Sequence, residues 1–160
     1  MQEQPMRVLY CTDFSENASR AFAYALNAAK LRTGSELHLI HVIPEPDAQF
    51  WKTYIYDAEG DVDEKAKKDI DEKIDREYRP QIPEGLVFKT AFRIGKSHAE
   101  ILKYADEIGA GLIVVGRQGA GALTSLLCGS VAEKVVKKAH CPVLVIPPDK
   151  SAEKTNWASF

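Results

Sequence analysis

The stretch "LIVVGRQGAGALTSLLCGSVAEKVV", Leu112 to Val136, predicts a strand, a long loop and a helix in succession. Four apolar residues run directly into Gly116, which is typical of a short strand covered on both faces. Gly119 follows in the loop, and Gly129-Ser130 precedes a segment with helical periodicity. The first turn of a helix carries unpaired backbone N–H groups and the positive end of the helix dipole, and both favour an anion. The loop is therefore the first candidate for a binding site.

The composition limits the class of protein. The 160 residues fit one domain, and 45% hydrophobic with 28% charged residues is ordinary for a globular protein. A formal net charge of −2 gives no electrostatic reason to expect nucleic acid as a partner. No apolar run approaches the roughly 20 residues that a membrane span needs. The N-terminal sequence lacks the features of a secretory signal, and the three cysteines lack the spacing of a disulfide framework. We expect a cytoplasmic protein.

Apolar runs alternate with helical segments in the order β-α-β-α-β-α-β-α-β. This alternation is typical of a single doubly wound α/β domain, here a five-stranded parallel sheet with four helices on its two faces. Ser15 is a predicted N-cap, and Ser97 with Glu100 has the spacing of a capping box. The predicted strands are 7–11, 36–43, 85–95, 111–116 and 141–147. The predicted helices are 15–32, 61–79, a segment from 97 onward, and 130–139.

Two further segments have unusual composition. Residues 44–60 form a long connection rich in aromatic residues, of the kind that serves as a lid, a contact surface or a mobile segment. The helix 61–79 has a narrow apolar stripe among many charges, and we interpret it as a solvated helix that touches the sheet along one line; a partner surface is the alternative. The stripe consists of Val62, Ala66, Ile70, Ile74 and Tyr78.

Candidate binding residues fall at the carboxyl ends of two predicted strands. Thr12-Asp13 follows the first strand and the Gly116 loop follows the fourth, and ligands of open parallel sheets bind at this edge. Gly129 lets the backbone approach a ligand closely, and Ser130 adds a hydroxyl donor. The spacing suits a phosphate chain, but glycines also serve turns that hold no ligand. On the residues alone, both interpretations stay open.

The loop pattern, G-x2-G-x9-G-S counted from Gly116, resembles the nucleotide-binding signature of the ATP-binding branch of the universal stress protein family. Other stretches resemble the same family, namely "VLYCTDFSENASRAFAYAL", "LHLIHVI" and "GSVAEKVVKKAHCPVLVIP". The resemblance covers residues 6 to 147. It implies an adenine nucleotide alpha hydrolase-like (Rossmann-like) architecture, with a domain over residues 1–148 and a C-terminal tail over 149–160.

The resemblance also implies a ligand and a role for each matching residue. The ligand is ATP, with Mg²⁺ carried on its phosphates. Asp13 would lie beside the adenosine, and the backbone around Val42 would meet the adenine edge. Main-chain N–H groups and a hydroxyl would cradle the ribose and phosphates, from Gly116, Gly119, Gly129, Ser130 and Val131. The expected site also includes the adjoining Thr12, Val115 and Arg117.

The resemblance to the family also shows two sequence differences and predicts a homodimer. Cys11 stands where some nucleotide-binding relatives carry proline, and Arg117-Gln118 occupies positions that vary among relatives. Arg117 is a candidate phosphate contact, and a solvated arginine is the alternative. Family members commonly pair their last strands across a two-fold axis, which predicts a homodimer through residues 143–147.

Three functions remain open for such a chain. The first is a nucleotide-dependent regulatory or signalling module of the stress response, with no turnover of its own. The second is a slow ATPase or phosphotransfer enzyme in which Asp13 assists a metal or a water, although the chain has no Walker lysine. The third is a nucleotide-free dimer that acts through protein contacts. The intact glycine pattern separates this chain from the branch of the family that lacks it.

Several apparent catalytic or metal motifs have simpler explanations. Gly95-Lys96-Ser97 resembles the end of a Walker A loop, but five residues earlier the motif needs a glycine and the chain has Thr90. His38 and His41, three residues apart on a strand, face opposite sides and cannot share a metal ion. We interpret His41 as a packed histidine near the strand end and His38 as a neighbour of a covering helix. Cys128 precedes a helix start, where a thiol can be reactive, but a buried inert thiol is the commoner case. We therefore expect no metal ligands and no catalytic nucleophile.

Overall fold

The computed structural model describes residues 5–45, 62–117 and 129–149, and its elements alternate in the predicted order. The strands are β1 (Arg7–Thr12), β2 (Glu36–Pro44), β3 (Val87–Gly95), β4 (Leu112–Gly116) and β5 (Val143–Ile146). The helices are α1 (Glu16–Lys30), α2 (Val62–Glu77), α3 (Ser97–Ile108) and α4 (Ser130–Lys138), with a 3-10 turn over Arg79–Gln81. The prediction of an α/β domain around a five-stranded sheet is confirmed.

The sheet is parallel, in the order β3-β2-β1-β4-β5. Tyr10, in the middle of β1, pairs with Leu39 of β2 on one side and with Val114 of β4 on the other. The chain leaves β1 through α1 toward β2, and leaves β4 through α4 toward β5. These two crossovers run in opposite directions from adjacent strands, so a crevice opens between β1 and β4 at their carboxyl ends.

The core consists of two apolar clusters, one on each face of the sheet. Val8 and Tyr10 point toward α1 and α2, whereas Leu9 and Cys11 point toward α3 and α4, because side chains alternate along a strand. Val8, Leu9 and Tyr10 are each 0% exposed. Covering both faces explains why the central strands are almost uniformly apolar in sequence.

The structure confirms the predicted start of α1 and the buried stripe of α2. The hydroxyl of Ser15 accepts a hydrogen bond from the Ala18 N–H at 3.2 Å, so Ser15 is the N-cap. Four of the five residues of the predicted stripe are buried against the sheet, namely Ala66, Ile70, Ile74 and Tyr78. The side chain of the fifth, Val62, lies outside the described residues. The α-helix itself ends at Glu77, and the turn that follows carries Arg79, whose Nε lies 2.6 Å from Asp75 Oδ1.

The predicted capping box at α3 is wrong. Lys96 is the N-cap, Ser97 is the first helical residue, and no side chain caps this helix. The helix starts one residue earlier than a Ser97 N-cap requires, because the extended Lys96 takes the N-cap position directly after Gly95, whose φ of 154° only glycine adopts readily. β3 begins later than predicted, at Val87, because Gly85 has a φ of 85° and lies in a turn.

Some sequence features lie outside the described residues. They are the aromatic residues Phe50, Trp51, Tyr54 and Tyr56, the start of the predicted helix at Asp61, and the tail from residue 150 onward. Within the described ranges, no helix combines the length and the apolar composition that crossing a bilayer requires.

Candidate functional site

The carboxyl ends of β1 and β4 bring the two predicted halves of the site together. β1 and β4 are hydrogen-bonded neighbours, so the segment after Thr12 and the segment after Gly116 leave the same edge of the sheet side by side. Gly129 returns to this edge, because its N–H donates to the Arg117 carbonyl at 2.6 Å. We call the segment Thr12–Ser15 the β1 side of the site, and residues Gly116, Arg117 and 129–131 the β4 side.

Thr12 ends β1 and is a hub of hydrogen bonds. It is 6% exposed, and its Oγ1 accepts the Phe14 N–H at 3.0 Å and lies 3.0 Å from the hydroxyl of Tyr78. Its carbonyl accepts a hydrogen bond from His41 Nδ1 at 2.8 Å. The side chain and the carbonyl of Thr12 thus stabilise the β1 side from within the core.

His41 packs at the end of β2 beside the same turn. The carbonyl of Thr12 can only accept, so Nδ1 carries the hydrogen and the ring is held in one tautomer. Burial lowers the pKa of His41, an effect that the hydrogen bond to Thr12 and the nearby Asp13 oppose. The imidazole centroid lies 4.7 Å from that of the Phe14 ring. His41 is therefore a packing residue, in agreement with its sequence interpretation.

Asp13 and Phe14 form a tight turn between β1 and α1. Asp13 is exposed, and its Oδ1 accepts the Ser15 N–H at 3.0 Å, which fixes the orientation of the carboxylate. Phe14 has a φ of 61°, a left-handed conformation that costs a non-glycine residue on the order of 1–3 kcal/mol. The turn persists because the surrounding hydrogen bonds and ring contacts over-determine it. It projects Asp13 away from the core at the open edge of the sheet.

Gly116 has a packing role that the sequence did not reveal. A Cβ at this position would lie 3.1 Å from Asn17 Oδ1 and 3.3 Å from the Asn17 carbonyl oxygen. Asn17 is 8% exposed on α1, and its Nδ2 donates to the Ile146 carbonyl of β5 at 3.2 Å. Close approach of α1 to the ends of β4 and β5 thus favours glycine here. The sequence analysis missed Asn17, because an asparagine near a helix start is ordinary and the sequence does not show that it is buried.

Arg117 links the ends of the loop that the sequence singled out. Its N–H donates to the Ile146 carbonyl at 2.8 Å, and its own carbonyl accepts from Gly129. The side chain is half-buried, and Nε is buried with no hydrogen-bond partner among the described residues. A buried donor in this state is costly unless another group satisfies it. Gly119 and Cys128, between these ends, lie outside the described residues.

The first turn of α4 presents backbone donors beside Arg117. Glu133 makes the first intrahelical bond, to the Gly129 carbonyl at 2.9 Å, so the N–H groups of Ser130, Val131 and Ala132 have no intrahelical acceptor. Ser130 is exposed. Glu133, also in this turn, is an unfavourable charge for an anion, but its carboxylate lies 2.6 Å from Lys137 Nζ. That pairing lowers the pKa of Glu133.

An apolar wall borders the crevice on the face of α3 and α4. Val42 at the end of β2 and Val115 at the end of β4 are 8% and 7% exposed and belong to the same cluster. Val131 packs against that cluster from α4. The site therefore offers an apolar wall, an oriented carboxylate on the β1 side, and N–H donors on the β4 side. This donor set fits a ligand with a flat apolar body, a hydrogen-bond-donating edge and an anionic end.

His38 and His140 make contacts other than those of metal ligands. His38, 3% exposed, contacts Glu36 Oε2 at 2.8 Å and the Tyr104 hydroxyl of α3 at 3.0 Å, so it packs against a covering helix as interpreted. His140 Nδ1 lies 3.2 Å from Asp106 on the surface. Across the part of the chain that the structure describes, no group of three or more His, Cys, Asp or Glu side chains could hold a metal ion.

Comparisons with known proteins agree with this architecture. The model described as "Universal stress protein family" matches residues 5–147. Universal stress protein MJ0577 of Methanocaldococcus jannaschii is 30% identical over 152 residues, which cover 88% of this chain and 93% of that protein. A solved structure of MJ0577 has a TM-score of 0.76 and 31% identity, and the match covers 91% of this chain and 98% of that one. A universal stress protein from Archaeoglobus fulgidus, solved in complex with dAMP, has a TM-score of 0.57 and 25% identity, with 91% and 99% covered.

Proposed function

The chain belongs to the universal stress protein family, and we propose that it is an ATP-binding regulatory module of the cytoplasmic stress response. The observation that carries the proposal is the meeting of an oriented carboxylate with the backbone donors of α4 at one edge of the sheet, between β1 and β4. An adenine nucleotide has hydrogen-bond donors on its nucleoside and an anionic phosphate end, so it matches both. The dAMP complex of the Archaeoglobus fulgidus relative supports an adenine nucleotide as the class of ligand.

The proposed nucleotide lies across the crevice with its base toward the β1 side. Asp13 accepts hydrogen bonds from the adenosine, and the backbone near Val42 meets the adenine edge. Thr12 holds the turn, and Val115 with Val131 forms the apolar wall.

The proposed phosphate end is the β4 side. Phosphate oxygens accept hydrogen bonds from the N–H groups of Ser130 and Val131 and from the Ser130 hydroxyl. Gly129 has no Cβ to block their approach. Arg117 Nε, buried without a partner among the described residues, then donates to a phosphate oxygen. Gly119, outside the described residues, is assigned to the same cradle. Mg²⁺ is proposed to ride on the phosphates, since this ion needs few protein ligands.

We propose that the family domain over residues 1–148 forms a homodimer through residues 143–147. β5 ends the sheet, so its far side carries no strand among the described residues, and Leu144 is 38% exposed there. Such an edge is a template for pairing with a second copy. Leu144→Lys should convert the dimer to a monomer in light scattering coupled to size exclusion. A mass that stays that of a dimer, or a wild-type monomer, would contradict this assignment.

The first test identifies the ligand directly. Freshly purified protein is denatured, the released small molecules are identified by mass spectrometry, and ATP is then titrated calorimetrically with and without Mg²⁺. We expect released or tightly titrating ATP. Gly129→Val should abolish binding with an unchanged circular dichroism spectrum, because the new side chain stands at the start of α4. Ala23→Val, which adds similar bulk on the exposed side of α1, is the matched control.

Two outcomes would redirect the proposal. If no nucleotide is released and none binds at millimolar ATP, the nucleotide-free dimer becomes the better function. Phosphate release that scales with protein concentration and is lost in Asp13→Asn would favour the slow ATPase. We expect no such turnover, because the chain has no Walker lysine.

A further inference from the structure

Tyr78 connects α2 to the candidate site through buried hydroxyl groups. It follows the last residue of α2, is 1% exposed, and packs its ring 4.8 Å from that of Phe22 and 5.6 Å from that of Tyr10. Its hydroxyl lies 3.1 Å from the Tyr10 hydroxyl and 3.0 Å from Thr12 Oγ1. Residues far apart in sequence thus share one buried network beneath the β1 side.

The hydrogens of this network have one arrangement that satisfies every contact. A hydroxyl has a single hydrogen, and that of Tyr10 lies 2.6 Å from the Ala18 carbonyl, which can only accept. Tyr78 therefore donates to Tyr10, and Thr12 donates to Tyr78. Thr12 Oγ1 in turn accepts the Phe14 N–H. The chain of donors runs from the Phe14 backbone to α1, and Tyr78 is its middle link.

This chain holds the left-handed turn that orients Asp13. Phe14 keeps its φ of 61° while its N–H is bound by Thr12 and its ring is enclosed by His41, Tyr78 and the Lys73 ammonium, 4.4 Å from the ring centroid. A relaxed Phe14 would swing the preceding residue, Asp13, which stands between Thr12 and this turn. The orientation of the carboxylate thus depends on a hydroxyl supplied by Tyr78, the residue that follows α2.

We propose that Tyr78 is a positioning residue for the nucleoside end of the ligand, acting through Thr12 and Phe14 on Asp13. The inference rests on the proposed nucleotide function. Tyr78 touches no ligand: its hydroxyl sets the turn from below. The β4 side shares no residue with this network, so phosphate binding is independent of Tyr78.

The experiment measures the two ends of the ligand separately. Adenosine and inorganic tripolyphosphate are titrated by calorimetry into the wild type, Tyr78→Phe and Tyr104→Phe. Tyr78→Phe keeps the ring and should weaken adenosine about fivefold, the loss expected for one net hydrogen bond, with tripolyphosphate unchanged. Tyr104→Phe removes a hydroxyl that contacts His38 on the opposite face, and should leave both affinities unchanged.

Variants of Thr12 guard against a simple folding defect. Thr12→Val keeps the side-chain shape and should reproduce the selective loss for adenosine, whereas Thr12→Ser restores the hydroxyl and should bind as the wild type does. Unchanged adenosine affinity in Tyr78→Phe overturns the inference, and so does an equal fall for adenosine and tripolyphosphate. A wild type that binds neither probe nor ATP overturns the proposed function first, which distinguishes the two failures.

Discussion

The β1 side and the β4 side of the site are built by different means. On the β1 side, three packed side chains hold a strained turn: Thr12 of β1, His41 of β2, and Tyr78, which follows α2. The β4 side is formed mainly by backbone groups. Arg117 and Gly129 form hydrogen bonds through their main chains, and α4 presents its first N–H groups. The first side is suited to recognising shape and donors, and the second to accepting negative charge.

The two sides also differ in the amino-acid substitutions that they tolerate. A network of buried hydroxyls fails when one member is removed, because the partners lose their hydrogen bonds inside the protein. A backbone cradle is insensitive to most side chains but not to the presence of a Cβ at close approach. Each side therefore has its own class of damaging substitution.

The largest expected effect is on the β4 side, at Gly116. Gly116→Val places atoms against Asn17 Oδ1 and the Asn17 backbone, so we expect a loss of about 2–3 kcal/mol in the free energy of unfolding. In a domain of this size that lowers Tm by about 5–10 °C, measured by calorimetry or circular dichroism.

A double-mutant cycle tests the physical reason. Asn17→Ala removes the crowding atoms and also the hydrogen bond to Ile146, so it destabilises by itself. Combined with Gly116→Val, it should cost less than the sum of the two single changes. Additivity within about 0.5 kcal/mol would show that the contact with Asn17 does not explain the glycine.

The second prediction separates the two sides by ligand. Asp13→Ala should weaken adenosine severalfold and leave inorganic tripolyphosphate unaffected, whereas Gly129→Val should abolish tripolyphosphate binding and weaken adenosine less. The reason is that, in the proposed arrangement, the carboxylate faces the nucleoside and the α4 donors face the anion. Calorimetric titration of both probes into both variants gives four affinities. Parallel losses in all four would contradict a division of the site into two sides.

The sequence predicted the β4 side of the site better than the β1 side. The glycines, Ser130 and the start of α4 form one local pattern in the chain, so the sequence predicted the β4 side. The alternation of apolar runs with helical segments predicted the fold. The pattern suggested that Gly116 serves a ligand, whereas the structure shows a packing reason that depends on Asn17 across the sheet edge. Tyr78 looked like one more apolar residue of a helical stripe, because a hydroxyl shared by distant residues leaves no local spacing.

The third prediction concerns pH and the β1 side. Burial holds the pKa of His41 below 6.5, so the folded state carries it neutral while the unfolded chain takes up a proton as the pH falls through 6.5. The unfolded state then binds more protons, and the free energy of unfolding decreases on acidification. Above that pH the two states are alike and the effect vanishes. Asp13 and Lys73 face His41 with opposite charges and act on its pKa in opposite directions.

His41→Asn isolates this contribution. The asparagine amide can still donate to the Thr12 carbonyl but does not titrate. Tm measured between pH 7.5 and 5 should fall further in the wild type than in the variant. Identical pH profiles of Tm would mean that His41 titrates alike in both states. A steeper fall in the variant would reverse the sign and contradict the buried neutral histidine.

The smallest expected effect is on the β4 side, at the charge pair of the first α4 turn. Glu133→Gln removes a negative charge near the proposed phosphates and should tighten tripolyphosphate about twofold, since the pair is exposed and screened by water. Lys137→Gln leaves the Glu133 charge without its partner and should weaken tripolyphosphate by a similar factor. Adenosine should respond to neither change, and both effects should fade at high salt. If adenosine and tripolyphosphate respond equally, the anion does not lie at α4 and the β4 side loses its assigned role.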